Sequence, residues 1–88
     1  MLREPLRERA RGRWQNILPA IGVPAHALRN RHGPCPVCGG KDRFRFDDKA
    51  GTGSFFCSRC GPGDGIELVK RLHRLDFRQA AALIEQHL

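Results

Sequence analysis

The features this chain lacks narrow its class before any motif is read. No apolar run in its 88 residues approaches the roughly 18 to 20 that a bilayer-crossing helix needs. The basic N-terminal stretch is followed by no apolar segment, so the pattern of a secretory signal is missing. There are no low-complexity tracts and no long internal repeats. No glycine-rich loop ends in Lys-Ser or Lys-Thr, as a phosphate-cradling loop would. No Ser or Cys stands in a nucleophile elbow. Asp47-Asp48 is an acidic pair, but neighbours on a strand point to opposite faces, so a turn suits it better than a catalytic metal. Acidic residues are themselves scarce: 9 Asp plus Glu stand against 16 Lys plus Arg, a net charge of +7. With 40% hydrophobic and 28% charged residues, the balance is that of a folded domain and not of a disordered chain. A chain this short builds only a small core and commonly needs a staple.

Four cysteines can provide one. They are spaced Cys35-x2-Cys38, then eighteen residues, then Cys57-x2-Cys60. That spacing fits a four-cysteine zinc site. Each pair puts two thiolates on one tight turn, and two such turns supply the tetrahedral corners around one Zn²⁺. With no export pattern the expected compartment is the cytosol, where disulfides are rare. Redox thiols and an iron–sulfur centre are the alternatives. A closed four-thiolate shell leaves no coordination position open, so the expected zinc is structural and not hydrolytic. His32 stands three residues before Cys35, but four cysteines already complete the shell, so it is not expected to be a ligand. His26, His73 and His87 lack partner spacing and are expected to be exposed.

The charge is uneven. Residues 1–34 carry seven Arg against Glu4 and Glu8, a net +5. Residues 35–63 carry Lys41, Arg43, Arg45, Lys49 and Arg59 against three Asp, a net +2, and residues 64–88 balance. A basic excess in a small domain points to a polyanion, most often nucleic acid; the alternative is a solvated surface.

The chain divides into three parts that together are expected to make one zinc-binding domain of small α+β class. Residues 1–34 read as helical and irregular. Leu6, Ala10, Trp14, Ile17, Leu18 and Ile21 form an apolar stripe at helical spacing, with Trp14 as a core anchor. Gly12 divides the segment, and Pro19 is expected in the first turn of a second helix, where its missing donor is harmless. Gly22 and Pro24 close that helix, residues 24–28 can add a turn, and residues 29–33 form a basic loop. Residues 35–63 read as a zinc ribbon, an antiparallel hairpin between two knuckles. Arg43-Phe44-Arg45-Phe46 alternates as a half-buried strand does, residues 47–53 have turn composition, and Ser54-Phe55-Phe56-Cys57 returns. Residues 64–88 read as two short helices covering one face of the ribbon. Asp64 with Glu67, and Asp76 with Gln79, are capping-box starts. Phe77, Ala80, Ala81, Ile84 and Leu88 are expected to lie on one stripe.

The candidate nucleic-acid contacts are Lys41, Arg43, Arg45 and Arg59. Alternation puts Arg43 and Arg45 on one face of their strand, with Phe44 and Phe46 on the other. Basic groups pair with phosphates, and rings can stack on unpaired bases. Phe44 and Phe46 are nonetheless expected in the core.

Residues 32–46, His-Gly-Pro-Cys-Pro-Val-Cys-Gly-Gly-Lys-Asp-Arg-Phe-Arg-Phe, resemble the start of the zinc-ribbon domain of phage and plasmid primase–helicases. Residues 55–65, Phe-Phe-Cys-Ser-Arg-Cys-Gly-Pro-Gly-Asp-Gly, are similar to the second knuckle and helix entry of that family. The segment from Trp14 to Gly22 and the Phe77-x2-Ala80-Ala81 helix are also similar. A more distant relative is the zinc finger of bacterial replicative primases, which has His at the second ligand position; here it is Cys38. The resemblance implies a ribbon that recognises single-stranded DNA template and holds the initiating primer, in the cytoplasm of a bacterial host. The catalytic carboxylates then belong to a separate polymerase domain, with or without a helicase, in the same or a partner chain. The 88 residues are then either an excised N-terminal domain or a short stand-alone version. A protein-contact ribbon in a replication or transcription complex, and a dithiol redox protein, are the other readings.

Overall fold

A computed structural model describes residues 5–88; the part of the expected N-terminal helical segment at residues 1–4 lies outside the described residues. Two helices come first, α1 (Leu6–Ala10) and α2 (Trp14–Ile21). They part at Gly12, whose φ of +76° no helix accommodates. The Gly12 amide instead donates to the Gly51 carbonyl at 2.9 Å, tying the N-terminal segment to the turn at residues 47–54. Pro19 differs from expectation, because it lies near the C-terminal end of α2 and not in its first turn. Pro19 and Gln15, whose carbonyl loses its usual donor, are both exposed, so water can satisfy that carbonyl. Gly22, at φ +119°, ends the helix with its amide donating to Leu18. A single 3-10 turn (Ala25–Ala27) then leads into the basic loop.

The sheet is larger than the expected hairpin. Four strands, β1 (Gly33–Cys35), β2 (Gly39–Phe46), β3 (Phe55–Cys57) and β4 (Gly61–Gly63), pair antiparallel in the order β1-β2-β3-β4. The two Cys-x2-Cys knuckles are therefore the turns β1–β2 and β3–β4. Gly39, Gly40 and Gly61 take φ of +76°, +85° and +88°, reversing the chain so that the residues flanking each knuckle pair with each other. Alternation does not reveal β1 or β4, because each is three residues long with a proline at its centre. Both are edge strands, where the missing proline donor costs the ladder little.

The inner face of the sheet carries Phe44, Phe46, Phe55 and Cys57, all buried. The register pairs Phe44 with Cys57 and Phe46 with Phe55, which brings them to one side. The Phe44 and Phe55 rings stack with centroids 5.4 Å apart. These side chains join Trp14, Ile17, Leu18, Leu68, Val69, Ala80 and Ile84 in one core. Trp14, only 1% exposed, lies over the backbones of Gly53 and Gly65, and a Cβ on either glycine would run into its ring.

Helices α3 (Gly65–His73) and α4 (Phe77–Glu85) close the other side of the core. The Asp64 carboxylate accepts the Glu67 amide at 2.9 Å, capping α3, while the Glu67 side chain turns to Lys70 and Arg71. At α4 the full reciprocal box forms: Gln79 N–H donates to Asp76, and Asp76 N–H donates to the Gln79 side chain. The expected α4 stripe is shorter than the periodicity suggests. Ala80 and Ile84 are buried, but Phe77 is 52% exposed and Leu88 36%. Both sit at or beyond the ends of a helix whose middle meets α1, α2 and α3. Among the described residues no helix is long and apolar enough to cross a membrane.

Candidate metal centre and the face behind it

Each knuckle folds around its first sulfur. The amides of Val37 and Cys38 point at Cys35 Sγ at 3.4 and 3.5 Å, and the amide of Cys60 points at Cys57 Sγ at 3.4 Å. Amides aimed at sulfur favour thiolate. The sheet brings the two knuckles side by side, and the four sulfurs lie within 4.8 Å of one another. Cys38 and Cys57 sulfurs are 3.5 Å apart, and those of Cys35 and Cys60 4.0 Å apart. A disulfide needs about 2.05 Å, so these are free cysteines. A tetrahedron with Zn–S of about 2.3 Å has edges of about 3.8 Å, which the two separations bracket. The four cysteines form a zinc-binding site.

Thiol acidities within the cluster are unequal. Burial pushes Cys60 up to about 12, helped by its hydrogen bonding with the Cys38 and Cys57 thiols. Burial raises Cys35 too. At Cys57 burial also acts upward, but the amides of Cys60 and Arg59 and the neighbouring thiols outweigh it and lower the group to about 7. Thiolates this close repel one another, and a divalent cation that replaces the protons removes the conflict. Zn²⁺ with four thiolates keeps a net charge of about −2. A guanidinium nitrogen of Arg43 lies 3.9 Å from Cys38 Sγ, where it offsets that charge.

Arg71 braces the second knuckle from α3, a role that sequence patterning did not show. Its guanidinium donates to the carbonyls of Cys60 and Pro62 at 3.1 and 3.3 Å and to Glu67 at 3.2 Å. The same group lies 5.6 Å from the centre of the Phe55 ring. The i, i+4 pairing with Glu67 is legible in the sequence; the reach to the knuckle is not. His32 is exposed and stands outside the cysteine cluster.

The outer face of the sheet carries the other polarity. Lys41, Arg43 and Arg45 alternate with Phe44 and Phe46 along β2, so they point away from the core. Lys41 and Arg45 are exposed, and Arg43 is half-buried beside the sulfurs. Arg45 Nε donates to the Asn30 side chain at 2.6 Å. Arg59 is exposed in the turn of the second knuckle. The register also sets Phe56 opposite both Arg45 and Pro62, so these three form one row across β2, β3 and β4. Phe56 is 54% exposed. Its role was not anticipated, although Phe55-Phe56 carried the signal: adjacent strand residues cannot both face inward, and Phe55 shares the face of Cys57.

Residues 30–66 match the family model for the zinc-binding domain of primase-helicase. The matched stretch contains both knuckles, the whole four-stranded sheet and the start of α3. No solved structure matches the chain.

Proposed function

We propose, from a zinc-binding primase-helicase domain at residues 30–66, that this chain binds single-stranded DNA template to help start RNA primer synthesis in DNA replication. The observation that carries this reading is the outer row of the sheet, where Phe56 stands exposed beside Arg45 and on the same face as Lys41 and Arg43. An exposed ring among cations suits an unpaired strand, because every base offers a face to stack and every nucleotide a phosphate to pair. Lys41, Arg45 and Arg59 contact phosphates, while Arg43 divides its charge between the strand and the zinc thiolates. The catalytic polymerase domain or helicase that uses the template lies elsewhere, in the same or a partner chain, and the setting is the bacterial cytoplasm. A small module of this kind binds weakly by itself and gains from tethering.

A second reading has one observation in its favour: Phe77, exposed on α4, is an apolar group fit for a protein partner in a replication or transcription complex. A salt titration with a short single-stranded oligonucleotide separates the two. Wild-type affinity is expected to fall with salt at a log–log slope of about −0.7 per phosphate neutralised. Lys41→Ala with Arg45→Ala should flatten that slope and keep the zinc. Phe56→Ala should weaken binding by about 1–3 kcal/mol at every salt concentration without changing the slope. Identical affinities and slopes for wild type and all variants would put protein contact first.

A further inference from the structure

Arg43 touches both knuckles. Its carbonyl accepts the Ser58 amide of the second knuckle at 3.0 Å, and its guanidinium Nη1 lies 3.9 Å from Cys38 Sγ of the first. Between these two points the side chain lies across Gly40, where a Cβ would run into its Cδ, Nε and Cζ. The path to the sulfur is open because Gly40 has no side chain to block it. Arg43 forms no ion pair and no other side-chain hydrogen bond among the described residues.

Most of the guanidinium is therefore uncommitted. It carries five N–H donors in a planar fork, and the contact with sulfur uses one nitrogen. Arg43 is half-buried, and it shares the outer face of β2 with Lys41 and Arg45. Arg45 stands two residues on, about 7 Å along the strand, with Phe56 opposite it. One cation thus stands between the cysteine cluster and the row of cations and ring on the outer face. Its two anionic partners are unequal. A phosphate takes two guanidinium N–H bonds in parallel, which a single sulfur 3.9 Å away does not. Where both compete, the fork turns to the phosphate, and Cys38 loses a donor that had drawn electron density from its sulfur.

We propose that Arg43 couples the strand-binding face to the metal-binding thiolates: a strand phosphate takes its guanidinium from Cys38, and the electron density on that sulfur then reports whether a strand is bound. The coupling rests on the strand-binding reading above, so binding is measured beside it. The full 88-residue chain is loaded with cobalt in place of zinc, because thiolate-to-cobalt absorption follows the electron density on the sulfurs. A short, labelled single-stranded oligonucleotide is titrated in, and fluorescence anisotropy records binding. At saturation the wild-type charge-transfer band should move to longer wavelength. Arg43→Ala should show that displacement before any oligonucleotide is added, and no further movement after it. Lys41→Ala should weaken binding yet keep the full movement at saturation. Arg43→Lys keeps the charge but not the fork, so its band should move less than that of wild type. It decides the matter if Arg43→Ala fails to hold cobalt. No oligonucleotide binding by the wild type would remove the strand-binding reading and the coupling with it. Saturated binding with an unmoved band would overturn the coupling alone. So would equal movement in the wild type and either Arg43 variant, because the strand would then reach the sulfurs by another route.

Discussion

At the scale of single residues, three of the ribbon's four phenylalanines show how position decides role. Phe44 and Phe55 stack inside, and Phe56 lies outside. Phe44→Ala should cost about 3–5 kcal/mol of stability, because it leaves a cavity where the sheet meets the helices. Chemical denaturation at saturating zinc checks this; a loss under 1 kcal/mol would mean the site collapses around the gap. Arg71 is the other decisive residue. Lysine in its place keeps the charge but loses the planar fork that reaches the Cys60 and Pro62 carbonyls together. Arg71→Lys should lower stability by about 1–3 kcal/mol and speed zinc release to a chelator. Zinc release at the wild-type rate would show that the knuckle holds its shape without the brace.

At the scale of elements, each knuckle is a hairpin turn, and each helix start is a cap. The α4 box is complete, whereas the α3 cap relies on the Asp64 side chain alone, with Glu67 engaged elsewhere. Asp76→Ala therefore removes the bond accepted from Gln79 N–H and keeps the reciprocal bond, which the backbone N–H of residue 76 donates to the Gln79 side chain. It should cost about 1 kcal/mol, visible as a lower thermal midpoint with unchanged zinc content. Asp76→Asn should recover most of that, since an amide oxygen still accepts from Gln79 N–H; no recovery would point to the helix dipole rather than the hydrogen bond.

At the scale of the whole molecule, the ribbon does not stand apart from the helices. Phe44, Phe46 and Cys57 belong to the same buried cluster as Trp14, Leu68 and Ile84. Removing zinc should therefore do more than melt residues 35–63. Four buried or half-buried thiols lose their common cation, the knuckles open, and the helices lose the sheet against which they pack. Chelation should abolish the helical and sheet circular-dichroism signals in one transition, and Cys57→Ser should do the same. Helical signal that survives excess chelator would mean the helices hold a core of their own. Acid should act in the same direction. Zinc binding releases thiol protons, and burial holds the Cys60 proton tightly, up to about 12, so falling pH favours the protonated, zinc-free form. An apparent zinc affinity, corrected for protonation of the competing chelator, that does not fall as pH is lowered would contradict that sign.

Much of this was legible from residue order alone. Cys-x2-Cys spacing specified the zinc ligands because two thiolates on one tight turn need only local geometry. Alternation separated Phe44 and Phe46 from Arg43 and Arg45 because the pleat turns successive side chains to opposite faces. Asp64 and Asp76 marked helix starts because capping is a contact three residues long. What lay outside the reach of local pattern was set by pairing at a distance. β1 and β4 exist because the knuckles fold the chain back on β2 and β3; three residues around a proline carry no periodicity of their own. Phe56 became an outer ring through its register with Arg45 and Pro62. Pro19 was tolerated late in α2 because that flank of the helix meets water, and Phe77 was left bare because no element among the described residues covers it. The basic loop is tied at Asn30 to a strand residue fifteen positions on, a contact that no local pattern records. Spacing of a few residues is recorded in the chain itself, whereas the face a side chain finally presents depends on which distant surface comes to lie against it.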